Sequence, residues 1–418
     1  MNRIVIVGAS AAGLAAAETL RRSGFGGTIT LIGKEIEQPY DRPPLSKQIL
    51  SSQWEPDRLT LRSADQIRAL DLDLRLGVTA TGLDVNGRLV HLAGGVPALG
   101  AGSLGAGSLG AGSPGSGLGV PGSGLLGGLS GGGPVSFDGL IVATGVRPRR
   151  LPGTAAHVLR TVDDVLALRR RLGPGRRLAV VGAGFLGAEA AAVARGLGCE
   201  VVLLEPAPVP LAHAVGADVG RVLSEVHREH GVDLRTGVAV AEVCPGGVRL
   251  AGGELVEADD VLVAIGSRPN TEWLDGGLSV DDGLVCDEFL AAAPGIYGAG
   301  DVVRWPNPLF GGESMRIEHR TNAAEQGMAA ARNLLSSDPA PFAPVPYFWS
   351  DQYDLKIQAY GYLRGHDRVE IVEGSLEERR FLAAYHRDGR LVGVLAIGIS
   401  PRTIREWRQA IAARKELA

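Results

Sequence analysis

Cysteine is scarce in this 418-residue chain, and its three copies are scattered. Cys199, Cys244 and Cys286 form no C-x-x-C or C-x4-C unit, which argues against a disulfide framework, a zinc site and a paired-thiol relay. Each reads as a buried, inert thiol. Long apolar runs are missing too: no stretch reaches the ~18 residues a membrane helix needs. Met1-Asn2-Arg3 leads straight into Ile4-Val5-Ile6-Val7 and a glycine turn, so no secretory leader is expected. A cytoplasmic protein without a membrane partner is the expectation. Charge of one sign is also lacking. Forty-two basic against 46 acidic residues leave a net charge of −4, which gives no electrostatic footprint for nucleic acid. Aromatics are only 5% of the chain, yet ten of the 20 lie after residue 340, which predicts a separate C-terminal α+β domain.

Glycine, by contrast, is abundant: 61 residues, about twice the usual ~7%. The hydrophobic fraction is an ordinary 45%, so the excess does not signal a fibre, and ~150 residues per domain leaves room for about three cores. Eighteen of the glycines fall in 94–134, a stretch with no charge that repeats Gly-Ser-Leu-Gly-Ala at 102–106 and 107–111. That composition predicts a flexible surface insertion, which a domain tolerates because loop-closure entropy grows slowly with length.

On either side of the insertion, strand and helix patterns alternate. Arg3–Gly8, a helix over 11–23 and a strand over 28–32 make one βαβ unit; 178–182, 185–197 and 200–204 make a second. Two such units imply two parallel sheets with nucleotide sites at their strand ends. The first turn, Gly8-Ala9-Ser10-Ala11-Ala12-Gly13, is a dinucleotide fingerprint with serine at its middle glycine. The second, Gly182-Ala183-Gly184-Phe185-Leu186-Gly187, is intact. Such turns let backbone N–H groups approach a pyrophosphate at a helix N-terminus. Glu205 ends the next strand, where a carboxylate accepts from a ribose 2′-hydroxyl and repels a 2′-phosphate; with no Lys or Arg before Arg221, NADH is expected over NADPH. Two fingerprints in one chain suggest a flavin on the first and a nicotinamide on the second. Ala143-Thr144-Gly145 and Ala264-Ile265-Gly266 each end an apolar strand and precede Arg-Pro, as paired crossovers between the two domains would. Asp301, after Gly300 in Tyr297-Gly298-Ala299-Gly300-Asp301, is placed to bond a flavin ribityl hydroxyl or the pyrophosphate region.

With Pro39-Tyr40-Asp41-Arg42-Pro43-Pro44-Leu45-Ser46-Lys47, Arg316-Ile317-Glu318-His319, Asn322-Ala323-Ala324-Glu325-Gln326-Gly327 and Pro346-Tyr347-Phe348-Trp349-Ser350-Asp351-Gln352, these motifs make a chain that resembles the FAD-dependent, NADH-linked ferredoxin reductases of bacterial oxygenase systems. The resemblance implies an α/β fold: two Rossmann-like dinucleotide-binding domains plus a C-terminal α+β domain. The divisions would be 1–146 and 268–335 for FAD, 147–267 for NAD and 340–418 for the C-terminal domain. It implies Lys47 beside the flavin, paired with Asp163, and Trp349 near the flavin on the side facing the partner. Arg42, Arg147, Glu318, His319 and backbone groups of Ala12, Val78 and Arg320 would be further FAD contacts. Relatives commonly carry Asp after the glycine ending the second strand; here Lys34 follows Gly33 and Glu35 comes next, so either could meet the FAD ribose.

Without a thiol relay an acceptor must approach the flavin directly. The implied partner is a small iron–sulfur ferredoxin, and through it a cytochrome P-450-type monooxygenase or a dioxygenase, with the reductase a monomer or homodimer. Arg402, Arg405, Arg408, Arg414 and Lys415, against Glu406 and Glu416, form either a docking face for an acidic ferredoxin or a solvated helix face. An NADH:quinone or oxygen reductase of the same fold, and an NADH-sensing binding protein like apoptosis-inducing factor, are the alternatives.

Overall fold

The computed structural model describes residues 1–94 and 133–414. Strand Arg3–Val7 pairs in parallel with Thr28–Gly33 on one side and Gly139–Val142 on the other. Leu72–Leu76 and Ile296–Gly298 extend the parallel sheet, and Ala291–Ala293 closes one edge antiparallel. Its central strands are buried on both faces, as helix-covered parallel strands must be, which is why Ile4-Val5-Ile6-Val7 reads as a continuous apolar run. Helix Ala11–Arg22 follows the first turn, and its small residues let it pack closely against helix Arg320–Leu335.

The second βαβ unit repeats the plan. Arg177–Val181 lies between Glu200–Glu205 and Asp260–Val263, with Asp233–Thr236 at the edge, all parallel. Helix Phe185–Gly196 follows its first strand. Two short crossover strands, Val146–Pro148 and Ser267–Pro269, pair with each other, Arg147 opposite Arg268. The segment after Pro39 crosses over as well. Tyr40, Leu45, Ile49 and Leu50 share a core with Val165, Leu168 and Ala190 of the second unit. Within it, Leu45–Ile49 forms one π-helical turn, a rare geometry that often marks functional positions.

The C-terminal part is a five-stranded antiparallel sheet ordered Tyr347–Gln352, Leu355–Gly361, Arg390–Ile397, Arg380–Arg387, Arg368–Ser375, with helix Pro401–Ala413 against it. Its other face buries the apolar side of helix Ala212–Glu229 of the second unit.

The glycine-rich insertion leaves a β-hairpin. Leu89–Ala93 and Val135–Ser136 are antiparallel neighbours, with Val90 opposite Val135, so the chain departs and returns at adjacent positions. The repeats between them lie outside the described residues, as do Lys415 and Glu416 of the tail.

Candidate cofactor and active site

Both fingerprint turns need glycine for the same reason. Gly8 has φ +124°, and a Cβ there would lie 2.0 Å from the Ala143 carbonyl oxygen; at Gly13 it would lie 1.9 Å from that of Gly8. Gly182 and Gly187 repeat this geometry against Ala264 and Gly182. Each turn therefore brings the start of its helix hard against the neighbouring strand.

The two turns open on one cavity of about 840 Å3, within the range of small-molecule sites. Ser10, Ala11, Ala12, Ala143, Gly145, Gly300 and Asp301 line its first half; Gly184, Phe185, Leu186, Glu205 and Gly266 line the second. Arg42, Lys47, Glu318, His319, Arg320 and Trp349 complete the wall. Ser10 sits at the N-cap of its helix without capping it through its side chain, which leaves the hydroxyl for a ligand.

Charged groups in the wall are held from behind. Asp301 meets Arg160 Nη2 at 2.9 Å; burial pushes its carboxyl above the usual range and the Arg160 guanidinium opposes this. Arg42 donates to the Arg160 carbonyl at 2.5 Å and pairs with Glu35 at 2.6 Å. Burial pushes the His319 imidazole down to about 4, so it is neutral at neutral pH. Among the described residues, Arg42 Nε and His319 Nδ1 are buried polar atoms with no hydrogen-bond partner. Both belong to side chains lining the cavity, the pattern expected where a polar ligand completes the site. The wall thus fits a dinucleotide cofactor: two helix N-termini, two tight glycine cradles and unsatisfied polar atoms between them.

Lys47 comes from the π-helical turn, and its ammonium lies 2.7 Å from Glu189 Oε2. Glu189 also accepts from Ser46 Oγ at 2.6 Å and, through Oε1, from Ser350 Oγ at 2.7 Å. The expected pairing of Lys47 with Asp163 does not form. Helix Val162–Arg169 is capped by Thr161 and Asp164 and buries Val162 and Val165, which turns Asp163 out to solvent.

Other expectations also move. Lys34 is exposed and Glu35 is spent on Tyr40 and Arg42; neither lines the cavity. Glu35 instead supports Arg42 from outside. Val78 is buried behind the sheet edge, its N–H bonded to the Gly33 carbonyl. Thr144 bonds the Asn270 carbonyl, and exposed Arg147 pairs with Glu272, so both serve the crossover strands rather than the cavity wall. Glu205 remains in the wall, accepting from the Ala183 and Ala207 N–H groups at 2.7 and 2.9 Å. A carboxylate has about four acceptor sites, so capacity for a ribose remains.

Sequence reasoning missed Glu189, Ser350 and Arg160. Glu189 had a signal: it lies one helical turn after Phe185, on the same face. Arg160 had none, because Asp301 is 141 residues away.

None of the three cysteines lines the cavity. An aromatic ladder does reach it. The Arg408 guanidinium sits 5.7 Å over the Tyr360 ring, Tyr360 stacks on Tyr347 at 4.6 Å, and Tyr347 stacks on Trp349 at 5.8 Å. Trp349 borders the cavity and Arg408 is exposed on the last helix.

Two dinucleotide cradles facing one cavity define a two-nucleotide oxidoreductase. The chain belongs to the pyridine nucleotide-disulphide oxidoreductase family, which matches residues 2–327, and a reductase C-terminal domain matches 347–418. It is 34% identical to rhodocoxin reductase of Rhodococcus erythropolis over 99% of this chain and 89% of that protein. It is 35% identical to the ferredoxin--NAD(+) reductase component of the p-cumate 2,3-dioxygenase system of Pseudomonas putida, over 86% of this chain and 81% of that one. The crystal structure of a covalent putidaredoxin reductase–putidaredoxin complex superposes with a TM-score of 0.84 at 31% identity, covering 99% of this chain and 93% of that one. Among the described residues, no helix is long and apolar enough to cross a membrane.

Proposed function

We propose that the chain is an FAD-containing NADH:ferredoxin reductase of an oxygenase system. It takes electrons from NADH and passes them to a small iron–sulfur ferredoxin, which feeds a P-450-type monooxygenase or a dioxygenase. The observation that carries this reading is the single cavity shared by the two glycine cradles, bordered by Trp349 and no thiol. When bound, FAD supplies the hydride acceptor and the source of single electrons; the protein orients it and tunes its charge.

The chain's own residues divide the work. The N-termini of helices Ala11–Arg22 and Phe185–Gly196 bind the FAD and NADH pyrophosphates respectively. Glu205 receives the NADH adenosine ribose. Lys47, fixed by Glu189, holds positive charge where negative charge develops. Arg42 and His319 offer their unpaired nitrogens to FAD. The ladder from Trp349 to Arg408 is the partner side. Residues 1–146 and 268–335 form the FAD domain, 147–267 the NAD domain and 340–418 the C-terminal domain. The site of action is the cytoplasm.

The test is anaerobic mixing with NADH followed by a panel of acceptors. Rapid flavin bleaching and fast electron delivery to ferredoxin support the reading. Fast delivery only to quinone or oxygen favours the related oxidoreductase instead. Slow bleaching favours an NADH-sensing protein.

A further inference from the structure

Helix Ala212–Glu229 is broken after its first turn. Gly216 has φ +80° and ψ 175°, non-helical values, and Leu211 before the helix is left-handed at φ +57°. Residues 211–214, isolated by these two breaks, line the NADH half of the cavity beside Glu205. Their position is set from both ends. The Leu211 N–H donates to the Ala183 carbonyl of the fingerprint at 3.2 Å. At the other end, the Val215 carbonyl accepts from the Tyr385 hydroxyl at 2.7 Å.

Tyr385 belongs to the C-terminal sheet, 170 residues away, and has no exposed surface. The His366 ring meets it edge-on, with centroids 5.0 Å apart and planes at 84°. His366 Nδ1 in turn bonds the Leu363 carbonyl at 2.7 Å. Leu363 and its neighbours Tyr362 and Arg364 line the same cavity. Gly216 is needed at this junction: a Cβ would lie 3.0 Å from His366 Nε2 and the φ would strain any other residue. One buried phenol and one imidazole therefore hold two wall segments, one from each domain.

We propose that Tyr385 is a positioning residue for the nicotinamide nucleotide. Through Val215 it fixes the 211–214 turn, and through its contact with His366 the 361–364 loop, so the C-terminal domain sets the width of the NADH side as well as meeting the electron acceptor. This rests on the reading that the 182–187 cradle and Glu205 hold NADH.

The experiment compares wild-type holoenzyme with Tyr385→Phe, which keeps the ring and removes the hydroxyl. Losing one buried hydrogen bond is expected to raise the KM for NADH, and the Kd for NAD+ measured by calorimetry, between about two- and about tenfold. The kcat at saturating NADH, the flavin content and the KM for ferredoxin stay within error. Gly216→Ala, which disturbs the junction from the other side, raises the same two constants. An unchanged NADH KM and NAD+ Kd, with only a lowered thermal midpoint, makes Tyr385 a packing residue and overturns the proposal. A Glu205→Ala variant runs in parallel. If it leaves the preference for NADH over NADPH intact, the assignment of the cradle itself is what fails.

Discussion

The Lys47 ammonium and the Glu189 carboxylate, 142 residues apart, meet at 2.7 Å in a largely buried contact that Ser46 and Ser350 complete. Three parts of the chain converge there: the π-helical turn, the helix after the second fingerprint and the C-terminal sheet. Removing one member of a buried pair leaves the other uncompensated, which typically costs about 3 kcal/mol or more. Apart from that loss of stability, Lys47→Met should slow flavin reduction by NADH on the order of 100-fold, the scale seen when a preorganised charge donor is lost. Glu189→Gln should have a smaller effect in the same direction. Asp163→Asn, on the solvent face, should change the stopped-flow rate less than about twofold; a large effect there would restore Asp163 as the partner of Lys47.

Glu205 should decide the nucleotide. Glu205→Ala combined with Pro206→Arg removes the ribose acceptor and adds a cation for a 2′-phosphate. The kcat/KM ratio for NADH over NADPH should fall at least about tenfold, equivalent to ~1.4 kcal/mol.

Acid should weaken the join between the second nucleotide domain and the C-terminal sheet. His227 has no exposed surface; its Nε2 lies 3.2 Å from Gln352 Oε1 and its Nδ1 3.1 Å from Tyr353 Oη. Burial holds its pKa down at about 4, below the ~6.5 of an unfolded histidine. The unfolded chain therefore binds the extra proton first. Its contribution to stability is complete above about pH 6.5 and is lost as pH falls toward about 4, on the order of 3 kcal/mol in all. Urea midpoints at pH 7.5 and 5 should diverge more for the wild type than for His227→Gln, which keeps an amide for Gln352 and does not titrate.

The ladder from Trp349 to Arg408 should matter to the acceptor and not to NADH. Arg408→Ala should raise the ferredoxin KM by about two- to tenfold and flatten its salt dependence, since exposed charge acts mainly on encounter. Reduction of ferricyanide by the same variant should match the wild type. Equal losses with both acceptors would remove the last helix from the docking face.

Deleting 99–131 should leave FAD content and NADH-driven flavin reduction unchanged, because Val90 and Val135 pair across the hairpin from which the segment departs. Loss of flavin on deletion would show a role for the segment that its composition does not suggest.

Much of the site was legible because dinucleotide cradles are local. Gly13 and Gly187 are required by the Gly8 and Gly182 carbonyls within one strand–turn–helix unit, so spacing alone reveals them, whereas Gly8 and Gly182 are pressed by Ala143 and Ala264 at the end of a neighbouring strand and show only through the motif they open. Glu205 follows from strand length. The contacts that position the chemistry are long-range, and spacing is silent about those. Arg160 reaches Asp301, and Glu189 gathers Lys47 and Ser350, only after three cores have packed. Arg147, which the family resemblance implies as an FAD contact, pairs with Glu272 where the two crossover strands meet. The aromatic-rich C-terminal segment predicts an α+β domain, and the structure builds its sheet from Tyr347–Gln352 onward, a strand that carries Trp349 to the cavity.

If the proposed function holds, one cavity joins an NADH cradle to a flavin that delivers electrons outward to an iron–sulfur protein. Steady-state reduction of a ferredoxin by NADH, against the same enzyme's oxygen and quinone rates, tests it most directly. Ferredoxin reduction should run on the order of 100-fold above the oxygen background, a difference of about 2.7 kcal/mol in the barrier. A ferredoxin rate no higher than that background, with the flavin fully reduced by NADH, would contradict it.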